Sequence, residues 1–121
     1  MPAPSRSNRR EAERKGRLAE SFAAALLTVK GYRILAMRFR AEGGEIDIVA
    51  RRRSELVFVE VKQRARVEDA RLAVTLSNQK RIKAAAYAWL ARHERRLDCP
   101  LRFDIVALAP GKWLHIQDAF R

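Results

Sequence analysis

Two acidic residues and a lysine stand in two apolar segments that are joined by a short polar stretch. Asp47 lies in the segment EIDIV, and Glu60 and Lys62 lie in the segment VFVEVK. If Arg53 and Ser54 form the centre of a β-hairpin, Asp47 lies directly opposite Glu60 on the neighbouring strand. Side chains alternate between the two faces of a strand, so these three residues are predicted to project from one face of the hairpin.

Carboxylates that face each other across a hairpin repel and destabilise the pair. A divalent cation between them removes that repulsion, and Mg²⁺ is typically held by one or two carboxylates together with waters and phosphate oxygens. The pattern therefore predicts that Asp47 and Glu60 bind Mg²⁺ or Mn²⁺. Lys62 would orient or deprotonate an attacking water, or neutralise the charge that grows on a phosphate under attack.

The same hairpin also fits a simpler interpretation, in which its polar residues form an ordinary solvent-exposed face. In that arrangement Glu45 lies opposite Lys62 and forms a cross-strand ion pair with it. The other face of the first strand would then carry Ile46, Ile48 and Ala50. The apolar flanks of the acidic residues count against this interpretation, because an unneeded buried carboxylate pair is costly.

Hydrophobic periodicity predicts the elements that hold this hairpin. Apolar residues at three- and four-residue spacing predict a helix from about Arg9 to Lys30, ended by Gly31. Ser77 can cap a second helix that runs to about Arg95, and the residues at 64–76 are expected to form a loop. Alternating apolar residues predict five strands, at residues 32–40, 45–52, 55–63, 101–109 and 113–117. The order αβββαββ predicts a sheet flanked by helices.

The charge of the chain indicates a polyanionic partner. Lysine and arginine number 26 against 14 acidic residues, for a formal net charge of +12. Such a balance favours DNA, RNA or an anionic membrane surface, because basic side chains release counterions from phosphate groups. The sequence has no apolar stretch of the roughly 18 residues that a membrane helix needs, so no membrane partner is expected. The basic N-terminal region has no apolar secretory segment, and Cys99 is the only cysteine, so a cytoplasmic protein without an intramolecular disulfide is expected.

A chain of 121 residues is the usual length of one domain. Residues 1–8 are rich in turn-forming residues and are expected to be a disordered basic arm, which leaves residues 9–121 as a single nuclease-like domain. Basic residues of the first helix, and two that flank the acidic segments, are expected to bind nucleic acid: Arg9, Arg10, Arg14, Lys15, Arg40 and Arg64.

A set of motifs from about Gly16 to the C-terminus makes the chain similar to a known family. The motifs are Gly16 with Glu20, then GYRIL at 31–35, GGEIDIVA at 43–50, LVFVEVK at 56–62, AV at 73–74 and RFDIVA at 102–107. On these residues the chain resembles the YraN-like family of bacterial proteins, within the PD-(D/E)XK superfamily of nucleases. The resemblance implies an α/β restriction-endonuclease-like fold, with an αβββαβ core in which helices flank a mixed sheet.

The resemblance also implies roles for individual residues. Asp47 and Glu60 would be metal ligands, Lys62 the catalytic lysine and Glu20 an accessory acid on the first helix. Gln79 stands where some members of the superfamily carry a glutamine motif, although Lys83 occupies the place of the aromatic residue expected four positions later. Members of the family often have an asparagine where this chain has Arg38. Because the aromatic residue of the glutamine motif is missing, the second helix is expected instead to bind phosphates through three basic residues, Lys80, Arg81 and Lys83.

Several other residues are open to both structural and functional interpretation. Asp104 fits either role equally well. His93 and His115 stand alone without metal-ligand spacing and are expected to be surface residues. Trp89 and Trp113 are expected to lie in the core rather than to stack on bases.

Together these features predict a nuclease that uses Mg²⁺ or Mn²⁺ to hydrolyse phosphodiester bonds, with DNA favoured over RNA. Branched DNA and recombination or repair intermediates are the substrates that the resemblance suggests. Two alternatives remain open: a catalytically silent nucleic-acid-binding module of the same fold, and a basic scaffold that binds RNA or an acidic protein. The intact set of Asp47, Glu60 and Lys62 favours the enzyme, and a homodimer is compatible with the sequence.

Overall fold

Five strands and three helices make up the described part of the chain, residues 6–93 and 100–121 of a computed structural model. In chain order the elements are α1 (Arg6–Val29), β1 (Arg33–Ala41), β2 (Gly44–Arg52), β3 (Glu55–Gln63), α2 (Val67–Leu72), α3 (Leu76–Arg92), β4 (Leu101–Ala109) and β5 (Lys112–Phe120).

The strands form one sheet in which the spatial order is the order in the chain, β1-β2-β3-β4-β5. The first three strands form an antiparallel meander, β3 and β4 are parallel, and β5 pairs antiparallel with β4. Parallel neighbours need a long crossover connection, and α2 and α3 provide it. The prediction of a mixed α/β sheet flanked by helices is confirmed. Apart from the short helix α2, the element order begins with the αβββαβ sequence of the restriction-endonuclease-like fold.

Each face of the sheet is covered by one long helix. On the α1 face, three residues of the helix pack on the sheet: Ala19, Ala23 and Leu27. The strand residues beneath them are Ile48, Ala50, Val57, Val59, Val106 and Leu108. On the α3 face, the helix contributes Ile82, Ala85, Ala86, Trp89 and Leu90, against Ile46, Val49, Leu56, Phe58 and Ile105. The sheet is thus buried on both sides, which explains why its central strands are nearly continuous apolar runs.

Glycines at two turns fix the entry into the first two strands. Gly31 has φ +96°, and the amides of Gly31 and Tyr32 donate to the carbonyls of Thr28 and Leu27, so it ends α1 as predicted. Gly44 lies against α3, where an added Cβ would meet the Arg81 carbonyl oxygen at 1.9 Å. A larger residue at Gly44 would therefore push α3 away from the start of β2.

Several predicted boundaries were wrong. α1 begins at Arg6, so the last three residues of the expected disordered arm are helical, whereas residues 1–5 lie outside the described residues. The short helix α2 occupies part of the expected loop, and β5 extends to Phe120. Thr75 rather than Ser77 caps α3, because its hydroxyl accepts a hydrogen bond of 3.1 Å from the Asn78 amide. The predicted end of this helix near Arg95 falls outside the described residues.

No helix in the described ranges combines the length and the apolar character needed to cross a membrane.

Candidate active site between separating strands

The β2–β3 hairpin has the predicted register but ends early. The pairs Ile48–Val59 and Ala50–Val57 confirm a turn centred on Arg53 and Ser54. The paired ladder stops one step before Asp47 and Glu60 would meet. At that step the amide of Val61 donates to Oδ2 of Asp47 at 2.8 Å, instead of to a backbone carbonyl of β2. A carboxylate therefore occupies the gap where the two strands separate.

The face alternation of β2 also breaks at Asp47. Ile48 belongs to the core on the α1 face, whereas Ile46, two positions earlier, belongs to the core on the α3 face. The prediction that Ile46, Ile48 and Ala50 share one face was therefore wrong, since residues two apart in a regular strand point the same way. The neighbouring strand β1 is distorted at the same level, because Arg38 has φ 53°, which is uncommon for a residue other than glycine.

A cleft of about 380 Å³ opens beside this break, between the separating strands and α1. We call it the acidic cleft. Its lining residues are Ala12, Lys15, Gly16, Ala19, Glu20, Asp47, Glu60, Val61, Lys62, Gln63 and Arg64. Asp47 and Glu60 thus line the same cavity, together with the predicted accessory acid Glu20 and the predicted catalytic Lys62.

Among the acidic residues of the cleft, Glu60 has the pKa that is shifted furthest from its ordinary value. Its side chain is buried, with 8% of the residue exposed. Burial and, after it, the negative charge of Asp47 raise the pKa of Glu60 well above its ordinary value of 4.5. Lys62, whose Nζ lies 3.5 Å from Oε1 of Glu60, opposes this effect without cancelling it. A second positive charge nearby would stabilise the charged form of Glu60, because an opposite charge offsets both burial and the repulsion from Asp47.

Glu20 reaches the cleft from α1 and is held by Arg38, a residue for which the sequence predicted no role. Nε of Arg38 donates to Oε2 of Glu20 at 2.6 Å. Burial raises the pKa of Glu20 and the charge of Asp47 adds to this, while the hydrogen bond from Arg38 lowers it; the net pKa is raised. No pattern in the sequence pointed to this contact, because Arg38 lies on β1 and Glu20 lies on α1.

The donor set of the cleft fits a hard divalent cation. Asp47 and Glu60 offer only oxygen atoms, which Mg²⁺ and Mn²⁺ prefer, and Mg²⁺ commonly keeps waters in its remaining positions. Among the residues that the structure describes, no group of three or more His, Cys, Asp or Glu side chains is close enough to form a complete metal cage. The cleft therefore suits a cation that is shared between two carboxylates and is completed by waters or other oxygen ligands.

Comparison with known proteins gives this chain a family. The family model described as "Uncharacterised protein family UPF0102" matches residues 19–108, a segment that includes Glu20, Asp47, Glu60 and Lys62. The chain belongs to the UPF0102 family.

Its relatives in this family cover nearly the whole chain. A UPF0102 protein of Rhodopseudomonas palustris (strain BisB18) is 55% identical over 98% of this chain and 90% of its own length. Another from Bradyrhizobium diazoefficiens is 54% identical over 88% of this chain and 81% of its own length. One from Rhizobium meliloti is 49% identical over 91% of each chain.

The predicted nucleic-acid-binding residues of this UPF0102 chain fall into three groups. Lys15 and Arg64 line the acidic cleft, and Arg40 lies beside it in an ion pair of 3.2 Å with Glu45. That pair replaces the Glu45–Lys62 pair expected of an ordinary hairpin. Exposed residues farther along α1 are Arg9, Arg10 and Arg14.

The third group lies on α3, which covers the opposite face of the sheet from α1. Lys80 and Arg81 are exposed there, and Lys83 donates to the carbonyl of Arg121. Gln79 donates to the carbonyl of Val74 at 3.4 Å. None of these four residues lines the acidic cleft.

The UPF0102 chain carries a second buried acid away from the cleft. Asp104 is fully buried, and its oxygens accept hydrogen bonds from Arg102, His115 and the amide of Asp118. Burial alone would raise its pKa, but the bonds from His115 and Arg102 outweigh this, and the pKa of Asp104 is lowered. Its surroundings are those of a structural residue.

Two predictions about aromatic and histidine residues were wrong. The side chain of His115 is 3% exposed and bonds to Asp104, whereas a surface position was expected. Trp113 is 48% exposed on the edge strand β5, whereas a core position was expected. The buried Trp89 and the exposed His93 agree with expectation.

Proposed function

We propose that this UPF0102 protein is a metal-dependent nuclease that hydrolyses phosphodiester bonds in DNA. The observation that carries the proposal is the carboxylate pair of the half-buried Asp47 and the buried Glu60, with the ammonium group of Lys62 at 3.5 Å from Oε1 of Glu60. Perturbed acids in a cleft are typical of functional sites, because structural acids are usually given partners that lower their pKa. The contrast with Asp104 in the same chain supports this interpretation.

Asp47 and Glu60 would hold one Mg²⁺ or Mn²⁺ ion in the acidic cleft. When bound, such an ion polarises a phosphoryl oxygen and lowers the pKa of a bound water. Asp47 is fixed for this task by the Val61 amide, which leaves its Oδ1 free of that bond. Glu60 is fixed on its central strand and is desolvated, so it gains most from a cation.

Lys62 would act on the substrate rather than on the ion. Its ammonium group lies on the same strand as Glu60 and lines the cleft, where it can neutralise charge that grows on the phosphate under attack. Glu20, restrained by Arg38, lies within the same cleft and is suited to orient a water molecule by hydrogen bonding. Lys15 and Arg64 line the cleft as well and would bind the phosphates on either side of the scissile bond.

The element order and the Asp47 and Glu60-x-Lys62 pattern support membership of the PD-(D/E)XK superfamily. Likeness to restriction-endonuclease-like enzymes favours DNA over RNA and suggests branched recombination or repair intermediates as substrates. The net charge of +12 supports binding to a polyanion. A cytoplasmic location is part of the same proposal, and a homodimer is compatible with it.

The decisive experiment separates binding from cleavage. Labelled duplex, single-stranded and four-way-junction DNA would be incubated with wild type in Mg²⁺, Mn²⁺ or chelator. We expect metal-dependent cleavage by wild type, and none by Lys62→Ala, whose DNA affinity falls only modestly because one of 26 basic residues is lost. The matched control is Arg33→Ala, which removes one exposed positive charge from the start of β1 and keeps full cleavage.

Absence of cleavage by wild type on every substrate, together with retained DNA binding, would favour the silent module of the same fold. Absence of both would favour the scaffold that binds RNA or an acidic protein.

A further inference from the structure

An exposed apolar groove adjoins the acidic cleft. Three large apolar side chains line it although each is about half exposed or more: Leu18 at 63%, Phe22 at 50% and Trp113 at 48%. The groove has a volume of about 560 Å³ and lies between α1 and the β4–β5 hairpin. Isolated exposed apolar residues are common, but several around one groove mark an interaction surface.

The groove and the acidic cleft share a wall. Lys15, Ala19 and Gln63 line both of them. One turn of α1 and the end of β3 therefore form the wall between the two cavities. A ligand whose phosphate lies in the acidic cleft can therefore extend its next chemical group over this wall into the groove.

Charge and shape select the kind of group that fits. Lys15 and Lys112 are the charged residues of the groove lining, and no acidic residue of the described part of the chain lines it. An aromatic and aliphatic surface flanked by two ammonium groups matches a flat nucleobase with its attached phosphate, which stacks on aromatic side chains and pairs with lysine. A second copy of this chain is a poorer occupant, because each copy carries a net charge of +12 and would bring like charges together.

We infer that this groove binds the base of an unpaired nucleotide adjacent to the scissile phosphate. A base inside a duplex is stacked on its neighbours and reaches Trp113 only if it is flipped out at an energetic cost, so a substrate with a single-stranded stretch at the site of cleavage is favoured. Single strands, flaps, junction arms and frayed ends meet this condition. The inference rests on the proposed function for its scissile phosphate and adds the class of substrate to it.

Binding in chelator tests the groove without any demand for cleavage. The affinity of a labelled single strand and of a blunt duplex of the same sequence would be measured by fluorescence anisotropy at one salt concentration. We expect Trp113→Ala to weaken single-strand binding by roughly 5- to 150-fold, as stacking of one base on an aromatic ring would require, and to leave duplex binding unchanged. Trp113→Phe should keep most of the single-strand affinity because its ring still stacks.

Tyr87→Ala is the matched control, since Tyr87 is an aromatic residue of α3 that is 60% exposed and does not line the groove. It should bind both DNA forms as wild type does. Intrinsic fluorescence gives a second readout, because Trp89 is buried and Trp113 is exposed. A single strand should quench the emission of wild type and not that of Trp113→Phe.

Three results would overturn the inference. One is unchanged single-strand affinity in Trp113→Ala, and another is an equal loss for single strand and duplex. The third is a wild-type dimer that becomes monomeric in Trp113→Ala by light scattering, which would make the groove a contact between copies. Failure of the proposed function looks different: single-strand binding would still depend on Trp113, while wild type would cleave nothing in Mg²⁺ or Mn²⁺.

Discussion

Asp104 and Glu60 are both acids buried in neighbouring strands of the same sheet, yet their surroundings are opposite. Asp104 accepts hydrogen bonds from Arg102, His115 and a backbone amide, and its pKa is lowered. Glu60 faces another carboxylate, and its pKa is raised. The sheet thus has one acid whose charge is fully compensated and one whose charge is not. The first stabilises the fold, whereas the second keeps a site in which an external cation is favourable.

The largest effect is expected from Asp104. Asp104→Asn keeps the size of the side chain but removes the charge that compensates Arg102, which also bonds to Glu55 and Tyr32. Removing one partner of a buried ion pair typically costs about 3–5 kcal/mol of unfolding free energy, and we expect a loss in that range. Urea denaturation followed by circular dichroism measures it. A loss similar to that of an exposed acid would mean that the Asp104 network does not stabilise the fold.

The pH dependence of stability provides a control for Asp104→Asn. The pKa of Asp104 is lowered in the folded protein, so its contribution is complete above the ordinary value of 3.8 and is lost as pH falls through the folded-state value. The difference in stability between wild type and Asp104→Asn should therefore shrink below pH 3.8 and be constant at neutral pH.

Metal binding should give the next largest effect, and it acts on the other acid. A ligand that binds only the folded state adds about 2.7 kcal/mol at one hundred times its dissociation constant. We expect Mn²⁺ to raise the melting temperature of wild type and of Lys62→Ala, but not of Glu60→Gln. Differential scanning fluorimetry with and without chelator measures this shift. An equal shift in Glu60→Gln would show that the ion binds elsewhere.

The smallest effect concerns the metal-free protein. Glu60→Gln removes one of two repelling carboxylates while it keeps the shape of the side chain, so it should stabilise the fold by about 1 kcal/mol. Asp104→Asn changes stability in the opposite direction, and this difference in sign is the sharpest form of the comparison. Urea midpoints in chelator measure both variants. Destabilisation by Glu60→Gln would place Glu60 in the same structural class as Asp104.

The sequence predicted the hairpin and its acids because both depend on local rules. A two-residue turn at Arg53 and Ser54 fixes the register of the hairpin, and the alternation of side chains along each strand predicts the face on which each residue lies. It did not predict the break at Asp47, where the Val61 amide bonds to a side chain of β2, or the ion pair between Arg38 of β1 and Glu20 of α1. No local pattern records such a distant arrangement.

The misassigned residues have equally physical explanations. His115 meets Asp104 across two paired strands, in a region where a bulge at Asp118 shifts the register. Trp113 lies on an edge strand, where a large apolar residue stays exposed unless a further element covers it. The helix α2 has six residues, which is too short for a helical period to be recognised.

The hydrogen bond from the Val61 amide to Asp47 has a consequence for mutational tolerance. Asp47 both accepts a hydrogen bond from β3 and is a proposed metal ligand, so most substitutions there would destabilise the sheet and abolish metal binding together. The substitution Asp47→Asn would be the exception, because the new side-chain amide oxygen can still accept the Val61 proton while the negative charge is gone. A single substitution at this position can therefore retain the fold while it removes metal binding. A relative with asparagine there would keep the same sheet and cleft but lack the proposed activity.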